Sequence, residues 1–94
     1  MCSPALAETA TFYADYYIGR PTASGELYDA RLLTAAHPSL PLGTYVRVWR
    51  GDRFVDVKIN DRCNCDIDLS RAAANVLGIT GIAEVTLEIL YQPN

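Results

Sequence analysis

Carboxylates gather in two short segments of this chain, and the only histidine follows the first of them. Glu26 and Asp29 lie between turn signals, with His37 a little further along. Asp61 ends an apolar segment, and Asp68 comes shortly after it. Glycosidic bonds are cut by positioned carboxylic acids and carboxylates, which donate and accept the protons that the reaction moves. The residue types and their spacing therefore predict a carbohydrate site.

Short strands are expected to position these side chains. Alternating apolar and polar residues predict strands over residues 44–49, 54–59 and 82–91, and a segment rich in Thr and Tyr predicts another over 9–17. Gly51-Asp52 supplies a hairpin turn between the strands at 44–49 and 54–59. Many short strands with few helical segments favour a small barrel, because closure leaves no exposed sheet edge.

Two helical segments are predicted between the strands. Residues 34–37 are expected to form one helical turn, which Pro38 ends. Asp68 or Ser70 is expected to cap a longer helix that reaches about Leu77, with Gly78 as its stop. An apolar stripe along this second segment predicts that it packs on the barrel.

The strand over residues 54–59 fixes the expected direction of Asp61. Val55, Val57 and Ile59 alternate with polar residues, so they are predicted to form the buried face. Asp61 is the next residue on the same side, at the strand end. A half-buried carboxyl is suited to general acid catalysis, because burial disfavours its charged form. The alternative is a structural aspartate paired with Arg62.

Seven short segments match one known family in order and spacing. They are residues 10–13 (ATFY), 22–26 (TASGE), 33–37 (LTAAH), 40–44 (LPLGT), 46–48 (VRV), 59–62 (INDR) and 67–70 (IDLS). On these segments the chain resembles rare lipoprotein A, a septal lytic transglycosylase family, and more distantly the first domain of expansins and barwin-like proteins. The resemblance implies a mainly β fold, a small six-stranded double-psi β-barrel with one or two short helices. Residues 9–94 would form this single domain, after a flexible tail over 1–8.

The resemblance also implies roles for the polar residues. Asp61 matches the acid of the family motif, while Glu26 and Asp29 match residues of the active-site groove. His37 matches the site histidine, which would orient a carboxylate or bind a sugar hydroxyl. Alone, acidic loop residues and a single histidine are more often surface or structural groups. All four are expected to be catalytic.

Three further residues are expected to bind substrate. Tyr13 is the aromatic side chain that we expect to stack on a sugar ring. Thr11 belongs to the same possible rim of the groove. Asp68 matches an aspartate beside the groove of expansin-like relatives, although a helix cap is its simplest structural role.

The implied activity is lytic cleavage of peptidoglycan glycan strands. Protonation of the bond between N-acetylmuramic acid and N-acetylglucosamine would be followed by attack of the muramoyl 6-hydroxyl, which gives a 1,6-anhydro product. Since no water attacks, no metal or cofactor is expected. One alternative is a non-catalytic, expansin-like module that binds or loosens wall polysaccharide. Another is an accessory protein that uses the barrel only as a scaffold.

The three cysteines leave several pairings open. Cys2 could bridge to one of Cys63 and Cys65, these two could bridge locally, or all three could stay reduced. A zinc site with His37 is a further alternative, although structural zinc usually has wider ligand spacing. The family's Gly-Pro after Asp-Arg is replaced here by Cys63-Asn64, and the following loop is shorter. We therefore expect structural cysteines and a more open groove beside Asp61.

Composition excludes several classes of protein. The 94 residues allow one domain, and the net charge of −3 offers no electrostatic footprint for nucleic acid. No apolar run approaches the length of a membrane span. Residues 5–7 (ALA) are typical of a signal-peptidase site, so we expect a cell-envelope, periplasmic or secreted location with the export signal removed. A monomer that binds glycan strands is expected.

Overall fold

The computed structural model describes residues 7–93, in which six strands close into a barrel. The strands are β1 (Ala7–Phe12), β2 (Thr34–Ala36), β3 (Tyr45–Arg50), β4 (Arg53–Asp61), β5 (Ile67–Leu69) and β6 (Ala83–Tyr91). Their order around the barrel is β1-β5-β2-β4-β3-β6. The β1–β5 and β2–β4 pairs are parallel, and the other four pairs are antiparallel. The predicted mainly β, six-stranded barrel is confirmed.

Inward-facing side chains from all six strands fill the barrel. The predicted inner face of β4 is confirmed, since Val55, Val57 and Ile59 are buried. The other strand residues of this core are Ala10, Ala35, Val46, Val48, Ile67, Leu69 and Val85. A small barrel has an interior just wide enough for its own side chains. Ligands must therefore bind at its ends or on its outer surface.

The helix α1 (Arg71–Val76) begins and ends where the sequence predicts. Ser70 is its N-cap, and its side-chain oxygen accepts a hydrogen bond from the Ala73 amide. Gly78 follows the helix with φ +68°, a left-handed conformation that glycine adopts without strain. Buried Ala73 and Ala74 join the core beside the strand residues. The helix therefore packs on the outside of the closed strand ring, against β1, β4 and β5.

Several predicted elements differ in the structure. Residues 34–36 form β2 rather than a helical turn, because they pair with β4 on one side and β5 on the other. The strand predicted over 9–17 ends at Phe12, and a separate 3-10 helix follows over Asp15–Tyr17. Asp68 lies within β5, so Ser70 alone caps the helix.

The N-terminal boundary is also corrected. Ala7 and Glu8 pair with β6, so two residues of the predicted tail belong to the barrel. Residues 1–6, with Cys2 and most of the predicted signal-peptidase site, lie outside the described residues. Over residues 7–93, no helix is long and apolar enough to cross a membrane.

Candidate active site

A cavity of about 240 Å³ opens at one end of the barrel. Its walls come from the ends of β1, β2 and β4, from β5 and from the short link between β4 and β5. The lining residues are Tyr13, Tyr17, Ala36, Asp61, Arg62, Cys63 and Asp68. Three of the predicted site residues, Tyr13, Asp61 and Asp68, therefore meet in one cavity. The two aspartates meet because Ala36 of β2 pairs with Asp61 of β4 on one side and with Asp68 of β5 on the other.

Asp61 is held at the end of β4 by a local irregularity. Ala35 pairs with Ile59 but Ala36 pairs with Asp61, so the register shifts at Asn60. Such bulges re-aim the side chains that follow them. The Asp61 carboxylate accepts hydrogen bonds from the Tyr13 phenol (2.6 Å), the Ala23 amide (2.8 Å) and its neighbour's amide at Arg62 (2.9 Å). Three donors from three segments fix its orientation.

Asp68 has different surroundings in the same cavity. It lies opposite Thr11 in the parallel β1–β5 pair, and the Thr11 hydroxyl donates a hydrogen bond of 2.8 Å to its Oδ1. Burial raises the pKa of Asp68, the Thr11 hydrogen bond lowers it, and the charge of Asp61 raises it further. The net direction is upward. The structure thus holds two carboxyl groups whose environments differ, which is the arrangement that acid–base pairs require.

Tyr13 lines the first cavity and donates a hydrogen bond to Asp61. Its ring stacks on Tyr28 with centroids 4.2 Å apart, and it meets the edge of Tyr17 at 5.8 Å. Burial raises the pKa of Tyr13, and the hydrogen bond to Asp61 raises it further. The phenol therefore stays protonated and acts as a donor. Since Tyr13 is only 6% exposed, its ring is packed in the site rather than displayed as an open stacking surface.

Glu26 lies on a turn beside the cavity and is not among the lining residues. Gly25 adopts φ +92°, and the Thr22 amide donates to the Glu26 carbonyl at 2.8 Å, which closes the turn. Lys58 pairs with the Glu26 carboxylate at 2.9 Å, and the Asn60 amide donates to it at 3.3 Å. The Lys58 hydrogen bond lowers the pKa of Glu26, so this side chain is an anion at neutral pH.

His37 follows β2 and is buried, and it is not among the residues that line the cavity. Its Nδ1 accepts hydrogen bonds from the amides of Ser39 (3.1 Å) and Leu40 (3.0 Å). A ring nitrogen that accepts cannot carry a proton, so the neutral ring carries its hydrogen on Nε2. Burial lowers the pKa of His37, and the positive charge of Arg62 lowers it further. His37 is therefore a neutral hydrogen-bond donor, not a base.

Asp29 belongs to a different part of the surface. Its carboxylate accepts two hydrogen bonds from the Arg31 guanidinium, of 3.0 and 2.9 Å. These bonds lower the pKa of Asp29 to about 2. It lines a second cavity of about 430 Å³ with Ile18, Gly19, Leu27, Tyr28, Arg31 and Leu32. The stacked rings of Tyr13 and Tyr28 separate this second cavity from the first. Asp29 is therefore not brought to the Asp61 cavity.

A disulfide joins Cys63 to Cys65, which selects the local bridge among the alternatives that the sequence left open. Cys63 lines the first cavity and packs against the cluster of Tyr13, Tyr28 and Ala36. Within residues 7–93, no three His, Cys, Asp or Glu side chains are grouped to hold a metal ion.

Three residues outside the predicted site, Arg62, Lys58 and Asn60, support it through hydrogen bonds. The Arg62 guanidinium donates to the carbonyls of His37 (3.2 Å) and Leu40 (2.6 Å), so it supports the histidine loop rather than pairing with Asp61. Lys58 and Asn60 hold Glu26. The sequence pattern indicated the direction of Lys58, which alternates with the buried residues of β4, but not that of Asn60, which is itself buried where the register of β4 shifts.

The closed barrel with two carboxyl groups at one end defines a class of small β-barrel domains, and comparison with known proteins gives the family. A family model described as lytic transglycolase matches residues 9–87. The chain is 53% identical over 70 residues to the uncharacterized protein ssl3177 of Synechocystis, covering 72% of this chain and 78% of that protein. It is 50% identical over 91 residues to a probable endolytic peptidoglycan transglycosylase RlpA of Nostoc, covering 86% of this chain and 24% of the relative.

Two solved structures share the fold. The Streptomyces papain inhibitor superposes with a TM-score of 0.74 at 27% identity, covering 94% of this chain and 96% of that one. An expansin of Clavibacter michiganensis superposes with a TM-score of 0.70 at 23% identity, covering 94% of this chain and 51% of that one. The chain belongs to the lytic transglycolase family and is an RlpA-like double-psi β-barrel. It spans about a quarter of the length of the Nostoc RlpA relative.

Proposed function

We propose that this barrel is a lytic transglycosylase domain that cleaves the glycan strands of peptidoglycan. The observation that carries the proposal is the pair of carboxyl groups, Asp61 and Asp68, in one cavity. Family membership adds support, because relatives at 50% and 46% identity are named as peptidoglycan transglycosylases. The bond cleaved is that between N-acetylmuramic acid and N-acetylglucosamine.

The two carboxyl groups divide the proton transfers between them. Asp68 is suited to donate the proton, because burial and the charge of Asp61 raise its pKa. It protonates the glycosidic oxygen as the bond to the muramoyl C1 breaks. The muramoyl 6-hydroxyl then attacks C1, and its proton passes to Asp61. One proton leaves Asp68 and one reaches Asp61, so the enzyme is reset by a single proton exchange.

This assignment differs from the sequence-based prediction, in which Asp61 is the general acid. In the structure Asp61 accepts three hydrogen bonds, which fix the orientation of the carboxylate that would receive the proton. Each carboxylate oxygen has two lone pairs. Tyr13 uses one lone pair of Oδ2, and the other is available to the attacking hydroxyl.

In this proposal Glu26 and His37 bind the substrate and take no part in proton transfer. Glu26 is an anion on the turn whose Ala23 amide holds Asp61, so it is positioned to accept hydrogen bonds from sugar groups outside the cavity. The Nε2 hydrogen of His37 would donate to a sugar oxygen. We expect Glu26→Gln and His37→Ala each to lower turnover by about tenfold, because one lost hydrogen bond to the substrate costs about 1–1.5 kcal/mol.

The site lies in the cell envelope in this proposal, since peptidoglycan is found there. The domain acts as a monomer whose binding partner is the glycan strand. The 240 Å³ cavity is small beside the roughly 300–1,000 Å³ of typical ligand sites, so the rest of the strand must lie on the rim. Long strands are therefore better substrates than two-sugar fragments.

Product analysis on purified sacculi tests the proposal. The parent protein should release muropeptides with 1,6-anhydro ends, detected by mass. Asp68→Asn and Asp61→Asn should each lower that release by about 10²- to 10⁴-fold with the fold retained. Asp52→Asn is the matched control, because Asp52 lies on the exposed turn between β3 and β4. Release at the parent rate by both cavity variants would refute the catalytic assignment.

The small cavity also favours a second candidate, the non-catalytic wall-binding module. Such a module would bind glycan strands on its rim and leave them uncut, as the expansin-like fold allows. The same experiment separates the two functions. Sacculi that sediment with the protein but yield no anhydro ends would identify a binding module.

A further inference from the structure

The segment that links β4 to β5 contains a disulfide. In sequence, this segment lies between the two proposed catalytic aspartates. Asp61 is the last residue of β4, Asp68 lies in β5, and Arg62 to Asp66 connect the strands. Cys63 and Cys65 are bonded within this link, with Cα atoms 5.2 Å apart. We propose that this bridge positions Asp61 relative to Asp68, so that the site is complete only when the two cysteines are oxidised. The glycan readout of this inference rests on the proposed function; its structural readout does not.

The link is anchored at both ends by polar contacts. At its start, the Arg62 guanidinium donates to the carbonyls of His37 and Leu40. At its end, the Asp66 carboxylate accepts a hydrogen bond of 2.9 Å from the Thr9 amide of β1. These contacts hold one end of the link to the loop after β2 and the other end to β1, and neither contact fixes the middle of the link. The disulfide supplies that constraint, since a covalent bridge removes backbone conformations that an open link would sample.

The bridge bears directly on Asp61. The Arg62 amide, one residue before the bridge, donates to Asp61 Oδ1 at 2.9 Å. The same oxygen accepts from the Ala23 amide at 2.8 Å. Cys63 itself packs against the cluster that contains Tyr13, and the Tyr13 phenol donates to Asp61 Oδ2. Opening the bridge would therefore loosen the Arg62 contact directly and the Tyr13 contact through packing.

Reduction by a dithiol would open the bridge reversibly. The sulfur–sulfur bond breaks, each cysteine sulfur gains one hydrogen, and the dithiol is oxidised to its own disulfide. Both cysteines are partly exposed, so a small dithiol can reach them. The core strands keep their pairing, because the bridge spans only three residues and crosses no strand pair. The expected effect is therefore local to the site.

Amide hydrogen exchange followed by NMR tests the positioning role without any glycan. The parent would carry Cys2→Ser, which leaves Cys63 and Cys65 as the only cysteines. Oxidised protein is compared with protein reduced by dithiothreitol. Protection of the Arg62 and Ala23 amides should fall by about tenfold or more on reduction, whereas the core amide of Ile59, which donates to the Thr44 carbonyl, should be unchanged.

A double variant supplies the matched control. Cys63→Ala with Cys65→Ala should exchange at the reduced rate and should not respond to dithiothreitol. Unchanged protection of Arg62 and Ala23 in both tests would overturn the proposal. Equal loss of protection at Ile59 would also overturn it, because the bridge would then stabilise the whole barrel rather than position the site.

The cleavage assay distinguishes this inference from the proposed function. If the oxidised parent releases anhydro muropeptides, reduction should lower kcat by about tenfold or more, with a smaller change in KM, because the rim that binds the strand is not altered. If the oxidised parent neither binds nor cleaves glycan while the amides respond as expected, the proposed function fails and the positioning role stands.

Discussion

At the scale of single residues, the site contains two chemically identical carboxyl groups that differ in the residues around them. Asp61 is surrounded by donors, whereas Asp68 has one donor and a buried position. The difference cannot come from the side chains themselves. It comes from Thr11, Tyr13 and two backbone amides, each of which can be changed or perturbed separately. The pKa of Asp68 therefore reports on the contacts that Thr11 and Asp61 make with it.

Two substitutions should move the pKa of Asp68 in opposite directions. Thr11→Val removes the hydrogen bond that lowers this pKa, so the value should rise. Asp61→Asn removes the negative charge that raises it, so the value should fall. A carbon-detected NMR titration of the Asp68 carboxyl measures both changes, with Asp52→Asn as the control. A shift of the same sign in both variants would contradict the described contacts.

His37 should make stability depend on pH. Its folded pKa lies below the unfolded value of about 6.5, so the unfolded chain binds the proton first. Its contribution is complete above about pH 6.5 and is lost as the pH falls below that value. Arg62 strengthens this effect and Asp66 opposes it.

Urea unfolding between pH 5 and 7 measures this effect of His37. His37→Asn is the informative control, because the chain has no other histidine. The fall in free energy of unfolding on acidification should be smaller in this variant. Parallel pH profiles for parent and variant would show that His37 titrates alike in the folded and unfolded states.

At the scale of elements, Ser70 joins the helix to the barrel. Its hydroxyl donates to the Leu32 carbonyl at 2.6 Å and accepts from the amides of Thr34 and Ala73, both at 3.3 Å. One fully buried side chain thus caps α1 and fixes the start of β2. The position of Asp68, two residues earlier, depends on this junction.

Ser70→Ala should therefore cost more than an ordinary cap. Loss of the cap costs about 1 kcal/mol, and leaving buried polar groups unpaired adds about 1–2 kcal/mol. We expect the free energy of unfolding to fall by about 2–3 kcal/mol in urea titrations. Ser39→Ala, at an exposed position, should change it by less than about 0.5 kcal/mol. Equal effects at the two positions would remove the special role of Ser70.

The sequence predicted the elements whose signal is local. Strands β3 and β4 alternate clearly, and the helix carries its own cap and stop. Strands β2 and β5 have only three residues each, and they are strands because partners lie on both sides. No local pattern contains that information. Alanine-rich β2 even favours a helix by propensity, and tertiary pairing overrides it.

The same difference between local signals and long-range contacts explains which site residues could be predicted from the sequence. Asp61 and Tyr13 were singled out through strand position and family resemblance, yet their hydrogen bond spans 48 positions of sequence. The place of Asp29 could not be predicted, because its loop turns toward Arg31 and the second cavity. The disulfide was one of several open pairings, since cysteine spacing alone does not select a partner.

At the scale of the whole molecule, closure makes the barrel one cooperative unit. Every strand has two neighbours, so no strand can leave without breaking two sets of pairs. The interior side chains fill the space between them, and small domains of this size usually unfold in a single transition. Damage at one interior position should therefore be felt by the whole fold.

Ile59→Ala tests this cooperativity. Ile59 is fully buried in β4, and such a truncation typically costs about 2–5 kcal/mol. Ile82→Ala is the matched control, because Ile82 is 77% exposed and should contribute less than about 0.5 kcal/mol. Thermal unfolding followed by near- and far-UV circular dichroism should give coincident transitions for both. Separate transitions in the two signals would show that the barrel does not unfold as one unit.

The strand order also sets the time at which the fold can form. The first strand, β1, lies between β5 and β6, which come from the last third of the chain. Its first partner, β5, is made only after residue 66, and its second partner, β6, is made later still, so β1 stays unpaired through most of synthesis and the barrel closes only when β6 is present. Such non-local topologies fold slowly, in milliseconds to seconds. Until β6 pairs with β3, the exposed edge of β3 is a site for aggregation.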